Sequence, residues 1–262
     1  MASDDNSAGV FTRASSTYGQ VGPNLFGHFG ARVVRRTAVG SGCSALDVAC
    51  GTGAALVEAS RAAGPAGLAV GVDLTVAMLG RTAAIFQQPN LAAMDAHALG
   101  FADNSFDVIT SNFALTYFSN PLAALTECGR VLRPGGRVGL VVHDGWWWHD
   151  DPLWEWHVDL LAELGNTRAT TPRLFCDTDS VSAVVAQAGF INIRTTIEPF
   201  ELQWADPSDW WDWCWSHGYR AVLEQFDAAT LREFERVCRS RLQRGPIRGS
   251  LPVICLVASK AR

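Results

Sequence analysis

Short apolar runs alternate with stretches of helix-forming composition along most of the chain. The first run, residues 45–50, ends at a glycine turn formed by Gly51, Thr52 and Gly53, and a helical stretch over 54–63 follows. Further apolar runs lie at 69–72, 91–94, 106–110 and 137–143, with helices predicted at 75–86 and 121–132. Strands that alternate with helices at this spacing predict an α/β fold with a doubly wound, mostly parallel sheet.

Polar residues and glycines follow the ends of these predicted strands. Gly51 follows the first, Asp73 the second, Asp95 the third, Asn112 the fourth, and His143 ends the fifth. Ligands of open parallel sheets bind beyond the carboxyl ends of the strands, so these positions predict the site. A glycine turn with an acidic residue about 20 positions later suits a nucleoside cofactor, because the backbone approaches closely and the carboxylate accepts from ribose hydroxyls.

The second half of the chain departs from this regular alternation. All ten tryptophans lie between positions 146 and 215. Neighbouring tryptophans project in different directions, so some of them are expected to face a cavity or a partner. Later elements are predicted as a helix at 178–188, a strand at 191–197, helices at 207–225 and 228–243, and a strand at 253–258. The predicted units are a flexible tail (1–15), a core (16–145), a Trp-rich lid insertion (146–176), a core continuation (177–203), a helical lid insertion (204–250) and a final core strand (251–262).

Composition narrows the classes of partner. The formal net charge is −5 and no basic patch is visible, which argues against nucleic acid. The seven cysteines are widely spaced, with no pairing typical of a metal site, and we interpret them as reduced. No stretch is apolar enough to predict a membrane span, and the first residues, MASDDNSAGV, do not resemble a signal peptide. A cytoplasmic protein without metal is therefore expected.

Five ordered motifs resemble those of the class I S-adenosyl-L-methionine (SAM)-dependent methyltransferases. They are LDVACGTG at 46–53, VGVD at 70–73, DA at 95–96, SFD at 105–107 and RVLRPGG at 130–136. The resemblance is strongest to the branch that contains ubiquinone and menaquinone biosynthesis enzymes and actinobacterial natural-product enzymes. It implies a Rossmann-like seven-stranded sheet with an antiparallel last strand and helical lid insertions. Leu56 stands where a dinucleotide-binding fingerprint has its third glycine, which argues against NAD or FAD. Ala49 stands where many family members have glycine.

The resemblance also implies how SAM is held. Asp47 would help to hold the amino acid part, Asp73 the ribose diol, and Asp95 the adenine amino group. Each aspartate has a simpler interpretation, since an aspartate after a strand is often only a helix cap. The other implied cofactor contacts are Tyr18, Ala49, Gly51, Gly53, Leu74, Met78, Ala96, Asn112 and Phe113.

The implied acceptor is an apolar or aromatic small molecule, methylated on oxygen or carbon. His143 is the predicted general base, although a histidine at a strand end is often purely structural. An interface rich in tryptophan, in a homodimer, is the alternative to an acceptor pocket. A SAM-binding enzyme that catalyses a non-methylating cyclisation and a non-enzymatic binding module are the alternative functions. The predicted acceptor pocket comprises Phe26, Trp146, Trp148, Trp154, Trp213 and His217.

Overall fold

The computed structural model describes residues 4–86, 90–145, 155–166, 175, 177–242 and 246–262. Within these residues, seven strands form one sheet in the order β3-β2-β1-β4-β5-β7-β6. Strands β1 to β5 are parallel, and β7 runs antiparallel to both β5 and β6. The mostly parallel, doubly wound sheet with an antiparallel last strand is therefore confirmed. The strands are β1 (Ser44–Val48), β2 (Leu68–Asp73), β3 (Asn90–Ala93), β4 (Phe106–Asn112), β5 (Leu132–His143), β6 (Phe190–Trp204) and β7 (Ile247–Lys260).

The helices that the sequence pattern predicts are present, and three further helices, over residues 4–14, 25–36 and 155–163, were not predicted. A short 3₁₀ turn (Leu115–Tyr117) lies between β4 and the next helix. The helices are α1 (Asp4–Ala14), α2 (Leu25–Arg36), α3 (Ala54–Ala63), α4 (Val76–Ile85), α5 (Pro121–Val131), α6 (Glu155–Glu163), α7 (Thr178–Gln187), α8 (Pro207–Trp215), α9 (Arg220–Leu223) and α10 (Ala228–Arg241). No helix among the described residues is long and apolar enough to span a bilayer.

Two apolar clusters cover the two faces of the sheet and so hold its carboxyl edge in place. One face packs Leu46, Ile109 and Leu140 against α5 and α7. The other packs Val33 and Phe29 of α2 against the sheet and continues into the helices after β6. Gly139 allows this close approach, because a Cβ there would lie 2.4 Å from Thr37 Cγ2. The central strands are thus buried on both faces, as their continuous apolar runs indicate.

The amino-terminal segment was predicted as a flexible tail, but its described residues are mostly helical. Residues 4–14 form helix α1, and Val10 and Ala14, four positions apart on it, are buried. Arg13 forms an ion pair with Glu224, which directly follows α9, and Arg220 also donates to Glu224. The segment is polar overall, so its order comes from contacts with distant residues rather than from its own composition.

The tryptophan-rich half also differs in detail from the prediction. β6 extends to Trp204 and pairs with β7 along this whole length, so Trp204 belongs to the sheet and not to a lid. The helix predicted at 207–225 is two helices, α8 and α9, and the last strand begins at Ile247 rather than near residue 251. Trp204, Trp210 and Trp213 are fully buried within the chain. These rings therefore form the interior of the helical region that follows β6.

Candidate functional site

A cavity lies beyond the carboxyl ends of β1, β2 and β4, where the sequence predicts it. It encloses about 810 Å³ when the open space at its mouth is included. Ten of the twelve residues predicted to contact a cofactor line it: Tyr18, Ala49, Gly51, Asp73, Leu74, Met78, Asp95, Ala96, Asn112 and Phe113.

Asp73 connects the glycine turn to the start of α4. Its carboxylate accepts the backbone N–H of Gly51 at 2.8 Å and that of Thr75 at 2.8 Å. Burial raises the pKa of Asp73, while these hydrogen bonds favour its ionised form and oppose that rise. Each carboxylate oxygen has a second lone pair, so the group can still accept hydrogen bonds from a ligand in the cavity.

Two predicted cofactor contacts, Asp47 and Gly53, lie outside this lining. Asp47 is buried beneath the turn, where it accepts the hydroxyl of Thr110 at 2.7 Å and the backbone N–H of Leu56 in α3. Burial raises the pKa of Asp47 to about 7. Gly53 has φ +86°, and a Cβ there would lie 2.8 Å from Thr82 Cγ2, so its lack of a side chain serves packing against α4.

The cavity wall includes two non-glycine residues in the left-handed backbone region. Ala49 has φ +55° and Phe113 has φ +59°. Such conformations cost free energy, and proteins retain them mainly where function or packing requires them. Ala49 therefore occupies a position that favours glycine, while the Phe113 backbone is held by its N–H, which donates to the Val141 carbonyl at 2.8 Å.

Asn112 presents a polar atom that the described residues do not satisfy. Its Nδ2 donates to the Phe26 carbonyl at 3.0 Å, whereas its buried Oδ1 has no hydrogen-bond partner among the described residues. A buried acceptor without a donor is costly, and a bound molecule with an N–H or O–H group would remove that cost. Asn112 is thus suited to contact a polar ligand in the cavity.

A second cavity, of about 510 Å³ when the open space at its mouth is included, adjoins the first. Phe11, Tyr18, Phe113 and Tyr117 line both cavities. The Tyr18 ring stacks on Phe26 with 4.5 Å between ring centroids, and Phe11 meets Tyr117 edge to face at 4.9 Å. The two cavities therefore share an apolar aromatic wall.

Histidines supply polar groups in this aromatic second cavity. His143 and His217 both line it, together with the predicted pocket residues Phe26 and Trp213. His217 Nδ1 lies 2.7 Å from the Trp213 carbonyl oxygen, and since a carbonyl only accepts, Nδ1 carries the proton in this arrangement. The other ring nitrogen of a neutral His217 is then an acceptor.

Behind the second cavity, a buried histidine supports Tyr219, which lines it. His157 Nε2 lies 2.9 Å from the Tyr219 hydroxyl. Burial lowers the pKa of His157 to about 3, so this imidazole is neutral at physiological pH. This pair fixes the Tyr219 ring without placing a charge in the apolar interior.

Several lining residues were not predicted from the sequence. Phe11 belongs to the segment predicted as a tail, although the spacing of Val10 and Ala14 is a helical signal. Tyr117 and His97 follow strands but belong to no motif that the sequence analysis used. The predicted pocket residues Trp146, Trp148 and Trp154 lie outside the described residues.

Comparisons with known proteins agree with this architecture. A family profile described as a methyltransferase domain matches residues 46–140. Nocamycin O-methyltransferase of Saccharothrix syringae is 29% identical over 93% of this chain and 95% of its own. Demethylmenaquinone methyltransferase of Staphylococcus aureus is 42% identical, over 41% of this chain and 46% of its own.

Solved structures share the fold at lower sequence identity. YcgJ of Bacillus subtilis has a TM-score of 0.60 at 21% identity and covers 90% of this chain and 99% of its own. The [4+2]-cyclase SpnF has a TM-score of 0.57 at 20% identity, over 90% of this chain and 80% of its own. A Haemonchus contortus phosphoethanolamine N-methyltransferase, solved with S-adenosyl-L-methionine, has a TM-score of 0.58 at 16% identity, over 99% of this chain and 58% of its own.

The raised pKa of Asp47 predicts a pH dependence of stability. An aspartate has a pKa near 3.9 in an unfolded chain, and a value of about 7 in the fold means that the native state binds the proton more tightly. The contribution of the Asp47 carboxyl to the free energy of unfolding is therefore fully present below about pH 4, and it is lost as the pH rises through about 7. Urea unfolding of the unliganded protein at several pH values should show this loss between about pH 4 and pH 7 and no further loss from this group above about pH 8.

The matched variant is Asp47→Asn, in which an amide oxygen can still accept from Thr110 but cannot titrate. Its unfolding free energy should fall less steeply over the same pH range, whatever its absolute value. Parallel curves for the two proteins would contradict the assignment of this dependence to Asp47.

Proposed function

We propose that this protein, a SAM-dependent methyltransferase with a methyltransferase domain at residues 46–140, methylates an oxygen of an apolar or aromatic small molecule. The observation that carries this proposal is the pair of adjoining cavities with shared aromatic walls. The first has the polar groups that SAM requires, and the second is aromatic with imidazoles at its wall. Carbon methylation is the alternative that the experiment below separates.

The residues of the first cavity fit SAM by their hydrogen-bonding chemistry. Asp73 would accept from the ribose hydroxyls, Asp95 from the adenine amino group, and Met78 and Leu74 would cover the faces of the base. The unsatisfied Oδ1 of Asn112 matches a ligand with N–H groups, such as the ammonium of the amino acid part. Asp47, lying below the turn, would act mainly by holding the β1–α3 turn in shape.

Bound SAM supplies an electrophilic methyl group on a positively charged sulfonium. The protein contributes position, exclusion of water and a suitable electrostatic environment. Tyr18, Phe11, Phe113 and Tyr117 form the boundary between the cavities and would exclude water from the path between donor and acceptor. Aromatic faces also favour a nearby cation.

His143 is the proposed general base for an acceptor hydroxyl. It ends β5 at the carboxyl edge of the sheet, and its ring lies 4.7 Å from that of Phe113, which lines both cavities. This location supports proton removal from an acceptor in the second cavity. The similarity to nocamycin O-methyltransferase across nearly the whole chain supports oxygen as the methylated atom and natural-product metabolism as the setting.

Four of the six described tryptophans argue against a tryptophan-rich subunit interface. Trp204, Trp210, Trp211 and Trp213 are buried inside a single chain, so these rings are not available to a second copy. Trp213 additionally lines the second cavity. An apolar small molecule is therefore the acceptor class that we propose.

Transfer of a labelled methyl group tests the function directly. The protein is incubated with methyl-labelled SAM and a panel of flat phenols, naphthols and quinols, and products are analysed by mass spectrometry and NMR. A labelled methyl on oxygen is the expected result. A label on carbon would contradict the oxygen assignment, and a SAM-dependent product without label would support the cyclisation alternative instead.

The cofactor role of Asp73 predicts weaker binding in Asp73→Ala. Loss of a charged hydrogen-bond acceptor should weaken SAM and S-adenosylhomocysteine alike by about 1.5–3 kcal/mol. Titration calorimetry measures both, with Asp159→Ala, which removes an exposed carboxylate on α6, as the control. Unchanged affinity in a folded Asp73→Ala protein would overturn this role, as would tight NAD binding by the wild type.

The base role of His143 predicts a loss of turnover with intact cofactor binding. His143→Ala should lower kcat about 10²-fold or more, the usual range for removal of a general base, while the Kd for SAM stays near its wild-type value. His28→Ala is the control, because His28 lies on α2 against Phe200 and lines neither cavity. Wild-type turnover in His143→Ala would show that the histidine is not the base.

A further inference from the structure

His97 joins an acidic residue of the first cavity to a fixed point on a different loop. Its Nδ1 lies 2.6 Å from Asp95 Oδ1, and its Nε2 lies 3.2 Å from the backbone nitrogen of Asn120. The Asn120 N–H must donate, so Nε2 is the acceptor and bears no proton. The proton of the neutral ring is therefore on Nδ1, where it donates to Asp95.

These contacts hold one oxygen of the Asp95 carboxylate. The backbone N–H of His97 also donates to Asp95 Oδ1, at 2.9 Å. The described residues thus make two hydrogen bonds to this carboxylate. Both reach Oδ1, and neither reaches Oδ2. The Asp95 side chain is 47% exposed, so without these bonds it would be able to sample several rotamers.

The other end of the connection is rigid. Asn120 caps α5, where its side chain accepts the backbone N–H of Ala123 at 3.1 Å. The residues just before it include Tyr117 and Phe118, which line the same cavity. The His97 ring also meets Phe118 edge to face, with 6.0 Å between centroids. His97 therefore connects two parts of the first cavity's wall: the part formed after β3 and the part formed between β4 and α5.

We propose that His97 is a positioning residue for recognition of the purine base. By holding Oδ1, it keeps Asp95 in one rotamer, with Oδ2 available to accept from the exocyclic amino group of adenine. A carboxylate accepts from a 6-amino group but repels a 6-oxo group, so this arrangement selects amino purines over oxo purines. The inference rests on the proposed cofactor role of Asp95.

The test compares binding of S-adenosylhomocysteine with that of S-inosylhomocysteine, which has an oxygen in place of the 6-amino group. Titration calorimetry gives the ratio of the two affinities for each protein. Wild type should prefer the adenine compound at least tenfold. His97→Phe keeps an aromatic ring and the backbone N–H but loses both hydrogen bonds of the imidazole, and it should reduce this preference several-fold.

His97→Asn is the matched rescue variant. Its amide nitrogen can take the place of Nδ1 and donate to Asp95, but the shorter side chain does not reach the Asn120 N–H, so it should retain part of the preference that His97→Phe loses. Asp95→Ala should abolish the preference, and adding His97→Phe to Asp95→Ala should change the ratio no further, because His97 acts through Asp95. Thermal unfolding verifies that each variant is folded, and His97→Leu replaces His97→Phe if that variant is not.

The outcomes separate this inference from the proposed function. If Asp95→Ala abolishes the preference but His97→Phe retains it, His97 is not a positioning residue while the cofactor assignment stands. If His97→Phe weakens both compounds equally, its role is only structural and the inference is wrong. If wild type and Asp95→Ala show the same ratio, Asp95 does not bind the base, and both the role of Asp95 and the inference fail.

Discussion

The architecture of the site depends on the hydrogen bonds between one buried carboxylate and two backbone N–H groups. Asp73 ends β2 and receives the N–H groups of Gly51 and Thr75, so it fixes the turn after β1 relative to the start of α4. Asp47 reinforces the same turn from beneath through Thr110 and Leu56. Because the two parallel strands are adjacent in the sheet, these short-range bonds hold the floor of the cavity without any large side chain. The turn backbone is thereby left accessible to a ligand.

Aromatic packing then divides the space above this floor. The residues that line both cavities come from two short stretches of chain: Phe11 and Tyr18 near the amino terminus, and Phe113 and Tyr117 in the connection after β4. Methyl transfer needs a donor and an acceptor in line and shielded from water more than it needs many reactive side chains. A wall of rings, with few polar groups between them, meets that requirement. The strained φ of Phe113 is consistent with a residue that packing and hydrogen bonding hold in a demanding position.

The polar groups around the cavities are held by partners of their own. His217 is oriented by the Trp213 carbonyl, Tyr219 by the neutral His157, and Asp95 by His97. Each partner restricts the rotamer of a side chain that lines a cavity, which lowers the entropy lost when a ligand binds. The segment after β6 that contains α8 and α9 carries Trp213, His217 and Tyr219, and the ion pair of Arg13 with Glu224 connects this segment to α1. The segment that lines the second cavity is thus attached to the helix that contributes Phe11 to both cavities.

The sequence by itself determined the features that depend on local patterns. The order of strands and helices, the glycine turn and the carboxylates at strand ends all follow from periodicity, turn chemistry and motif spacing, and ten of the twelve predicted cofactor contacts line the cavity. Only the tertiary structure decided that Asp47 and Gly53 support the turn from outside that lining, that residues 4–14 form a helix, and that His97 joins Asp95 to Asn120. These features rest on contacts between residues far apart in the chain. Local composition carries little information about such contacts, because their stability arises only when packing brings the partners together.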